Sequence, residues 1–502
     1  MRRIFSILAV MVAFGVATAE AQSAIHPSVG TTVKGEGLSL TIVNKHINYH
    51  GSTGEYCDQY INSPKSANIH PDGTKYYVNS LEGCATVVYD MKTHKRLKVI
   101  NYRFEDEKDA ALWSKPSKFY PFTHYTERLN TFMGKPVEST FSHGGRYLWI
   151  PFYRRTYDLN AQDPSAVAVI DTRTDEIVKL METGPLPKMV ACSHDGRHVA
   201  ITHWGNNTVG IVNVASLNPD EWYHEKLLVV DYVLPLNFSL TQQVDRDNKS
   251  GYCLRGTVFT PDDKYLLVGC MGGNGGIAVI DMETQEYLGR VLGMMANVRH
   301  LVIRDGYLYL SVNKSGYVQR IRLEKVMNAV KNISGKTVTV SGWENCKVGD
   351  GARTIELSPS GHFIFAACNL ASRLYVVDSR TMTVAGSIEV DSYPVGLDIS
   401  NDGRFVIVTS QGRSNQGGNA VNIYQVDYDE PEPVLKNTDG AAVLNTINGS
   451  DEGSATAQNE ENSATVPQHD GGNAGWQLPA AAGGALVLAA AAYFFFRRKA
   501  NA

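Results

Sequence analysis

No HExxH, no paired CxxC and no CxxCH occurs in the 502 residues. The first two absences remove the common spacings that hold zinc on a helix face or between thiolates. The third removes covalent haem attachment. Neither a metal nor a cofactor is expected. Charge of one sign is also scarce: the formal net charge is −4 and charged residues make up 20%. Ten acids against one base, Lys436, are packed into residues 427–470. The rest of the chain is therefore close to neutral, which excludes nucleic-acid binding by bulk charge. Large apolar residues are nearly missing from 438–475, a stretch rich in Gly, Ala, Ser, Asn, Thr and acid. Such a segment buries too little surface to offset its ordering entropy and reads as a flexible stalk.

Long uncharged apolar runs stand at the two ends. Arg2 and Arg3, the run Ile4–Val16 and Ala19-Glu20-Ala21 read as a secretory signal cut near Gln22. No cysteine follows the cut, which argues against a lipid-anchored amino terminus. Leu478–Phe496 is uncharged and long enough to cross a bilayer, with Trp476 at one interface and Arg497, Arg498 and Lys499 beyond the other. This tail resembles the sorting signals of sortase-anchored surface proteins. Their LPxTG motif reads here Leu478-Pro479-Ala480-Ala481-Ala482; Thr and Gly are replaced, so a retained span is expected. The seven cysteines allow disulfides in an exported chain and leave one over. Cys57 and Cys84 are a candidate pair, and the connectivity stays open.

The stretch PKMVACSHDGRHVAITH, starting at Pro187, gathers three histidines, a lysine and a cysteine. It is one copy of a repeat. PKSANIHPDGTKYYVNS starts at Pro64, LRGTVFTPDDKYLLVGC at Leu254, ARTIELSPSGHFIFAACN at Ala352 and PVGLDISNDGRFVIVTS at Pro394. Looser copies start at Val137 and Val298. Each reads as an apolar strand, a polar turn of Asp-Gly type and an alternating strand, a β-hairpin. A second strand pair follows in most copies, as in SAVAVIDTRTDEIVKLM and RLYVVDSRTMTVAGSIEV. Seven such units fall at 64–100, 137–182, 187–217, 254–293, 298–323, 352–390 and 394–427. A four-stranded unit cannot cover both its faces alone; seven stacked radially can. The expected fold is all-β, a seven-bladed β-propeller of four-stranded blades. Residues 36–48 offer an outer strand that closes the ring.

RLYVVDSRTMTVAGSIEVDSYPVGLDISNDGRFVIVTS (373–410) resembles the consensus of YVTN-type propeller proteins, exported relatives of WD-repeat and quinoprotein-like propellers. The resemblance covers about 64–427 and implies fold more than function. The expected layout is a signal peptide at 1–21, an N-terminal segment at 22–63, the propeller at 64–427, the stalk at 428–475, and a span with a basic cytoplasmic end at 476–502. His70, His143 and His194 fall in hairpin turns, where polar groups belong. Cys192 takes the strand slot of Leu357 and Ile399 and reads as core.

Eight residues before the turn glycine or its equivalent stand Lys65, Lys188, Arg255 and Arg353; Arg299 joins them in a unit with a shorter turn. Val137 and Val395 break the series. This position opens the innermost strand, so up to five cations should ring one mouth of the channel and favour an anion there. The competing reading has them splay into solvent or pair with local acids such as Glu138, Glu356 and Asp350. Three long connections, 101–136, 218–253 and 324–351, are expected on the same face, the last with a short helix, LEKVMNAVKN. With the loop THWGNN (202–207), which opens on the same face, they make Trp113, Tyr120, His203, Trp222 and Trp343 candidate contacts for a sugar or a protein.

The leading expectation is a membrane-anchored, cell-surface adhesin or receptor that binds an extracellular protein or glycan, not an enzyme, with oligomeric state open. The alternative is a lactonase-like enzyme or haem-type cofactor binder at the cation-ringed mouth. Glu138, Glu356, Asp398 and Asn68 are its polar groups on the inner strands, and His203 or His300 its candidate haem ligand.

Overall fold

The computed structural model describes residues 24–120, 131–155, 158, 161–235, 246, 250–333, 336–412 and 417–435. The expected signal, most of the stalk and the expected span lie outside them. No helix among the described residues is long and apolar enough to cross a membrane.

Seven sheets stand in sequence around a central axis. Their innermost strands are Pro64–Ile69, Thr140–Ser142, Pro187–Cys192, Leu254–Phe259, Val298–Arg304, Ala352–Leu357 and Pro394–Ile399, numbered here as blades 1 to 7. The hairpin turns form as their residues require. Gly73, Gly196, Gly361 and Gly403 all have φ between 70° and 73°, a left-handed conformation that glycine adopts without a Cβ clash. Asp263 takes the same place in blade 4, with φ of 54°.

Stacking is what makes the blades stable. Seven apolar clusters fill the seven gaps between neighbouring blades. Between blades 2 and 3, for example, Trp149, Val167 and Val169 meet Val199, Ile201 and Val212, all with no exposed surface. The hairpin histidines clip the gaps. His70 Nε2 lies 3.2 Å from the Gly145 carbonyl, His143 Nε2 2.9 Å from the Val214 carbonyl and His194 Nδ1 2.9 Å from Asp263, each on the next blade.

Blade 7 is completed by the start of the chain. Leu38–Ile47 pairs antiparallel with Ala420–Tyr428 and buries Leu38, Leu40 and Ile42 against blade 6. The expected closing strand is thus present. Lys45 and His26 both engage Asp391, a fully buried carboxylate beside blade 7, at 2.8 and 2.9 Å.

Two outer strands depart from the expected unit boundaries. Blade 3 ends with Tyr223–Val229 and blade 5 with Glu344–Lys347, both later than the units at 187–217 and 298–323. These edge strands are half exposed, so their apolar alternation is weak and the sequence does not mark them. In consequence residues 214–222 and 323–343 link third to fourth strands on the face away from the expected ring. The predicted helix forms there as Leu323–Val330, burying Val326 and Val330 one turn apart. The residues after 428, expected to begin the stalk, still hold to the propeller. Glu432 accepts hydrogen bonds from the Ser360 amide and hydroxyl, and the Leu435 amide donates to Asn401.

No disulfide joins the seven cysteines, so Cys57 and Cys84 are not a pair. Cys270, Cys346 and Cys368 are buried, and burial pushes their thiols up to about 12, 11 and 12. Cys192 is only half-buried, at the edge of the cluster between blades 2 and 3.

Candidate functional site

The innermost strands of blades 1, 3, 4, 5, 6 and 7 share an irregularity that the sequence repeat hides. In each, the inner strand takes one step more than its partner, two against one in blades 1, 3, 6 and 7 and three against two in blades 4 and 5, a one-residue bulge. The bulge falls at Lys65, Lys188, Arg255, Arg299, Arg353 and Val395. An unpaired residue of this kind bends the strand and re-aims a side chain. Here it turns five cations toward one end of the channel.

The five expected cations come together there around one carboxylate, Glu138, two residues ahead of the short inner strand of blade 2. Arg255 Nη2 donates to Glu138 Oε1 at 2.7 Å. Glu138 Oε2 and Arg255 Nη1 are buried with no hydrogen-bond partner among the described residues. Arg255, Arg299 and Arg353 are 3, 8 and 7% exposed; Lys65 and Lys188 are half-buried. Second contacts hold each cation in place. Arg353 Nε donates to the Val395 carbonyl at 3.1 Å, and Arg299 Nη1 lies 3.1 Å from Met271 Sδ. Lys65 Nζ reaches Gln411 at 3.3 Å, and Lys188 Nζ sits 3.6 Å from the Tyr153 ring centroid and 4.9 Å from that of Trp204.

The electrostatics record the crowding. Burial first, then Arg353, Arg255 and Arg299, holds Lys65 well below the usual ammonium range. Burial and then Arg255, Lys65 and Arg299 do the same to Lys188. Arg353 is pushed down to about 10 by burial and Arg255, and stays charged at neutral pH. Burial raises the Glu138 carboxyl, but Arg255, Lys65, Arg353 and Arg299 outweigh it and bring it down to about 2. Of the local acids considered as partners, Glu138 is in the ring, whereas Asp350 pairs with Lys347 at 2.7 Å.

Glu356 and Asp398 form a second layer, three residues further along the inner strands of blades 6 and 7. Burial and then Asp398 push Glu356 up to about 8; burial pushes Asp398 up to about 7. Asp398 also accepts a 2.6 Å hydrogen bond from the Ile69 amide of blade 1. Asn68 shares this layer and accepts a hydrogen bond from the Ser139 hydroxyl.

The expected loop contacts are placed in the packing. Trp113 is 7% exposed and meets Phe104 and Phe132 edge to face; Tyr120 is 5% exposed and packs edge-on against His203. Both ring nitrogens of His203 are engaged, by the Gly184 amide at 3.1 Å and by Thr208 Oγ1 at 2.8 Å. That leaves His203 no nitrogen for a haem iron. His300 holds its Nδ1 3.0 Å from the Ile355 carbonyl. Trp222 stacks on His143 and Trp149 and donates to the Ser216 carbonyl at 2.6 Å. Trp343 is half-buried against the cluster between blades 4 and 5. Both Trp222 and Trp343 adjoin outer strands at the end away from the ring. The sequence repeat did not reveal Tyr153, Trp204, Met271 and Gln411 as neighbours of the cations; all lie at or just past the ends of second strands, which open onto the ring face.

Among solved structures, the fold resembles Kuenenia stuttgartiensis Hydrazine Synthase, with a TM-score of 0.52 and 13% identity, covering 76% of this chain and 100% of that one. The Myceliophteria thermophila Cps50 (Swd1) beta-propeller domain gives a TM-score of 0.49 at 14% identity, covering 77% and 99%. Antigen Lp49 of Leptospira interrogans serogroup Icterohaemorrhagiae serovar copenhageni (strain Fiocruz L1-130) is 24% identical over 208 residues, 38% of this chain. The chain spans 41% of that relative's length. Residues 146–442, more than half of the chain, match the family described as Lactonase, 7-bladed beta-propeller. With seven blades closed around a polar axis, the chain belongs to the lactonase, 7-bladed beta-propeller family.

Proposed function

We propose that the chain is a cell-surface binding propeller that captures an extracellular protein or glycan by drawing an acidic group of that partner into the cation ring. The observation that carries this reading is the charge imbalance: among the described residues, four cations, Arg255, Lys65, Arg353 and Arg299, act on the one carboxylate of Glu138. Like charges gathered in a low-dielectric mouth cost free energy that an entering anion offsets. The similarity to an antigen supports exposure on a surface; on this reading the leader at 1–21 and the span at 476–502, both outside the described residues, would export and anchor the chain. The last described residues meet Asn401 on the face opposite the ring, through the Leu435 amide.

Titration calorimetry with citrate as probe tests the reading. Saturable binding by the native protein is expected, weakened at least ~10-fold, or ~1.4 kcal/mol, by Arg255→Gln with Arg353→Gln. An absence of citrate binding, or binding indifferent to both substitutions, overturns it.

Lactone hydrolysis is the second reading, and the family match favours it. Within the ring Glu138, at about 2, is a weak base for activating water. Glu356 and Asp398, at about 8 and 7, are better matched to proton transfer at neutral pH. Release of acid from δ-valerolactone, abolished by Glu356→Gln, would move the function to the deeper layer.

A further inference from the structure

A second cavity lies away from the channel, on the flank where the outer strands of blades 2 and 3 meet. It has a volume of about 910 Å³. One wall is the segment around Trp113–Lys118, the other Asp220–His224, and Lys179 and Met181 form the floor. The size is that of a small-ligand site.

The chemistry of the walls is mixed in a particular way. The Tyr223 ring is 53% exposed, whereas Trp113 and Trp222 are packed behind the surface at 7 and 4%. Polar groups surround these rings. Lys179 pairs with Asp220, and Glu221 accepts a hydrogen bond from Ser216. Lys115 and Lys118 stand exposed at the rim, with no ion pair among the described residues. Set into the walls, the Ser114 hydroxyl and both ring nitrogens of His224 are buried without a hydrogen-bond partner among the described residues. Burial holds His224 down at about 4, so at neutral pH its ring offers one donor and one acceptor.

Flat aromatic surface beside many small hydrogen-bonding groups suits a pyranose ring, whose C–H face stacks while its hydroxyls seek partners. A rim of lysines adds a preference for negative charge. We infer that this flank groove is a saccharide site, separate from the cation ring, for a short oligosaccharide carrying carboxylates, stacked on Tyr223 with its acid groups toward Lys115 and Lys118. The inference does not depend on the ring: a protein with an inert ring could still hold a sugar here.

The experiment uses the full chain, with tri-galacturonic acid as probe, maltotriose as its uncharged comparison, and binding read by calorimetry. Saturable binding of tri-galacturonic acid is expected. Tyr223→Ala, or Lys115→Ala with Lys118→Ala, should weaken it at least tenfold; these side chains are exposed, so the fold is kept. In an Arg255→Gln with Arg353→Gln background, which removes any binding at the ring, the groove should still bind tri-galacturonic acid and still lose it on Tyr223→Ala. No saturable binding, or binding lost only in the Arg255 and Arg353 variant, overturns the inference and in the latter case returns the anion to the ring. Equal binding of maltotriose overturns the preference for an acidic sugar.

Discussion

Arg255 and Glu138 face each other at 2.7 Å in the channel mouth, and each keeps a second buried polar atom, Nη1 and Oε2, without a partner among the described residues. The pair joins blade 4 to blade 2 across the axis. It is the built-in counter-charge of the ring.

Replacing Glu138 with Gln should destabilise the protein, because it leaves buried cations without their anion. Losing one partner of a buried pair typically costs ~3–5 kcal/mol. Citrate should recover part of the loss in thermal unfolding, and should bind more tightly than to the native protein. A variant as stable as the native protein and indifferent to citrate would show that Glu138 does not neutralise the ring.

The pH dependence of the same group has a definite sign. Its folded value, about 2, lies below the ordinary 4.5. The stability it contributes is therefore present above pH ~4.5 and is lost as pH falls toward 2. Acid unfolding of the native protein should show this loss between those limits, and Glu138→Gln should flatten it.

Glu356 behaves in the opposite sense. Its folded value, about 8, lies above the ordinary 4.5, so ionisation opposes folding. The penalty is absent below pH ~4.5 and grows as pH rises toward 8. Glu356→Gln should raise the melting temperature at about pH 9 and change it little at about pH 4. An equal shift at both values would point to packing instead of charge.

The thiols give a third check. Cys270 and Cys368 are fully buried, and Cys346 nearly so. In the native protein these three should resist a thiol reagent that labels them after unfolding, and a reductant should leave the melting temperature unchanged. A fall of several degrees on reduction would reveal a disulfide.

Ring closure can be weakened from the first strand. Leu40 is 2% exposed in the cluster between blades 6 and 7. Leu40→Ala should cost ~2–5 kcal/mol in denaturant unfolding. A loss below ~1 kcal/mol would mean that Leu38–Ile47 contributes little to holding blade 7.

The sequence by itself determined the blades. Period-two apolar strands joined by Asp-Gly turns are local signals, and seven copies leave radial stacking as the way to cover every face. It also placed Lys65, Lys188, Arg255, Arg299 and Arg353 at one register, since register in a repeat is arithmetic. Tertiary structure decided the rest. Tyr223–Val229 and Glu344–Lys347 are edge strands chosen by pairing with their blades, not by their own apolar pattern. Trp113, Tyr120, His203 and Trp222 look like contact residues in the chain, but neighbouring blades supply the surfaces that bury them. The bulges that turn the cations inward, and the single carboxylate that meets them, depend on residues far apart in the chain. Glu138 and Arg255 are separated by 117 positions, and only closing the ring brings their charges into one low-dielectric space.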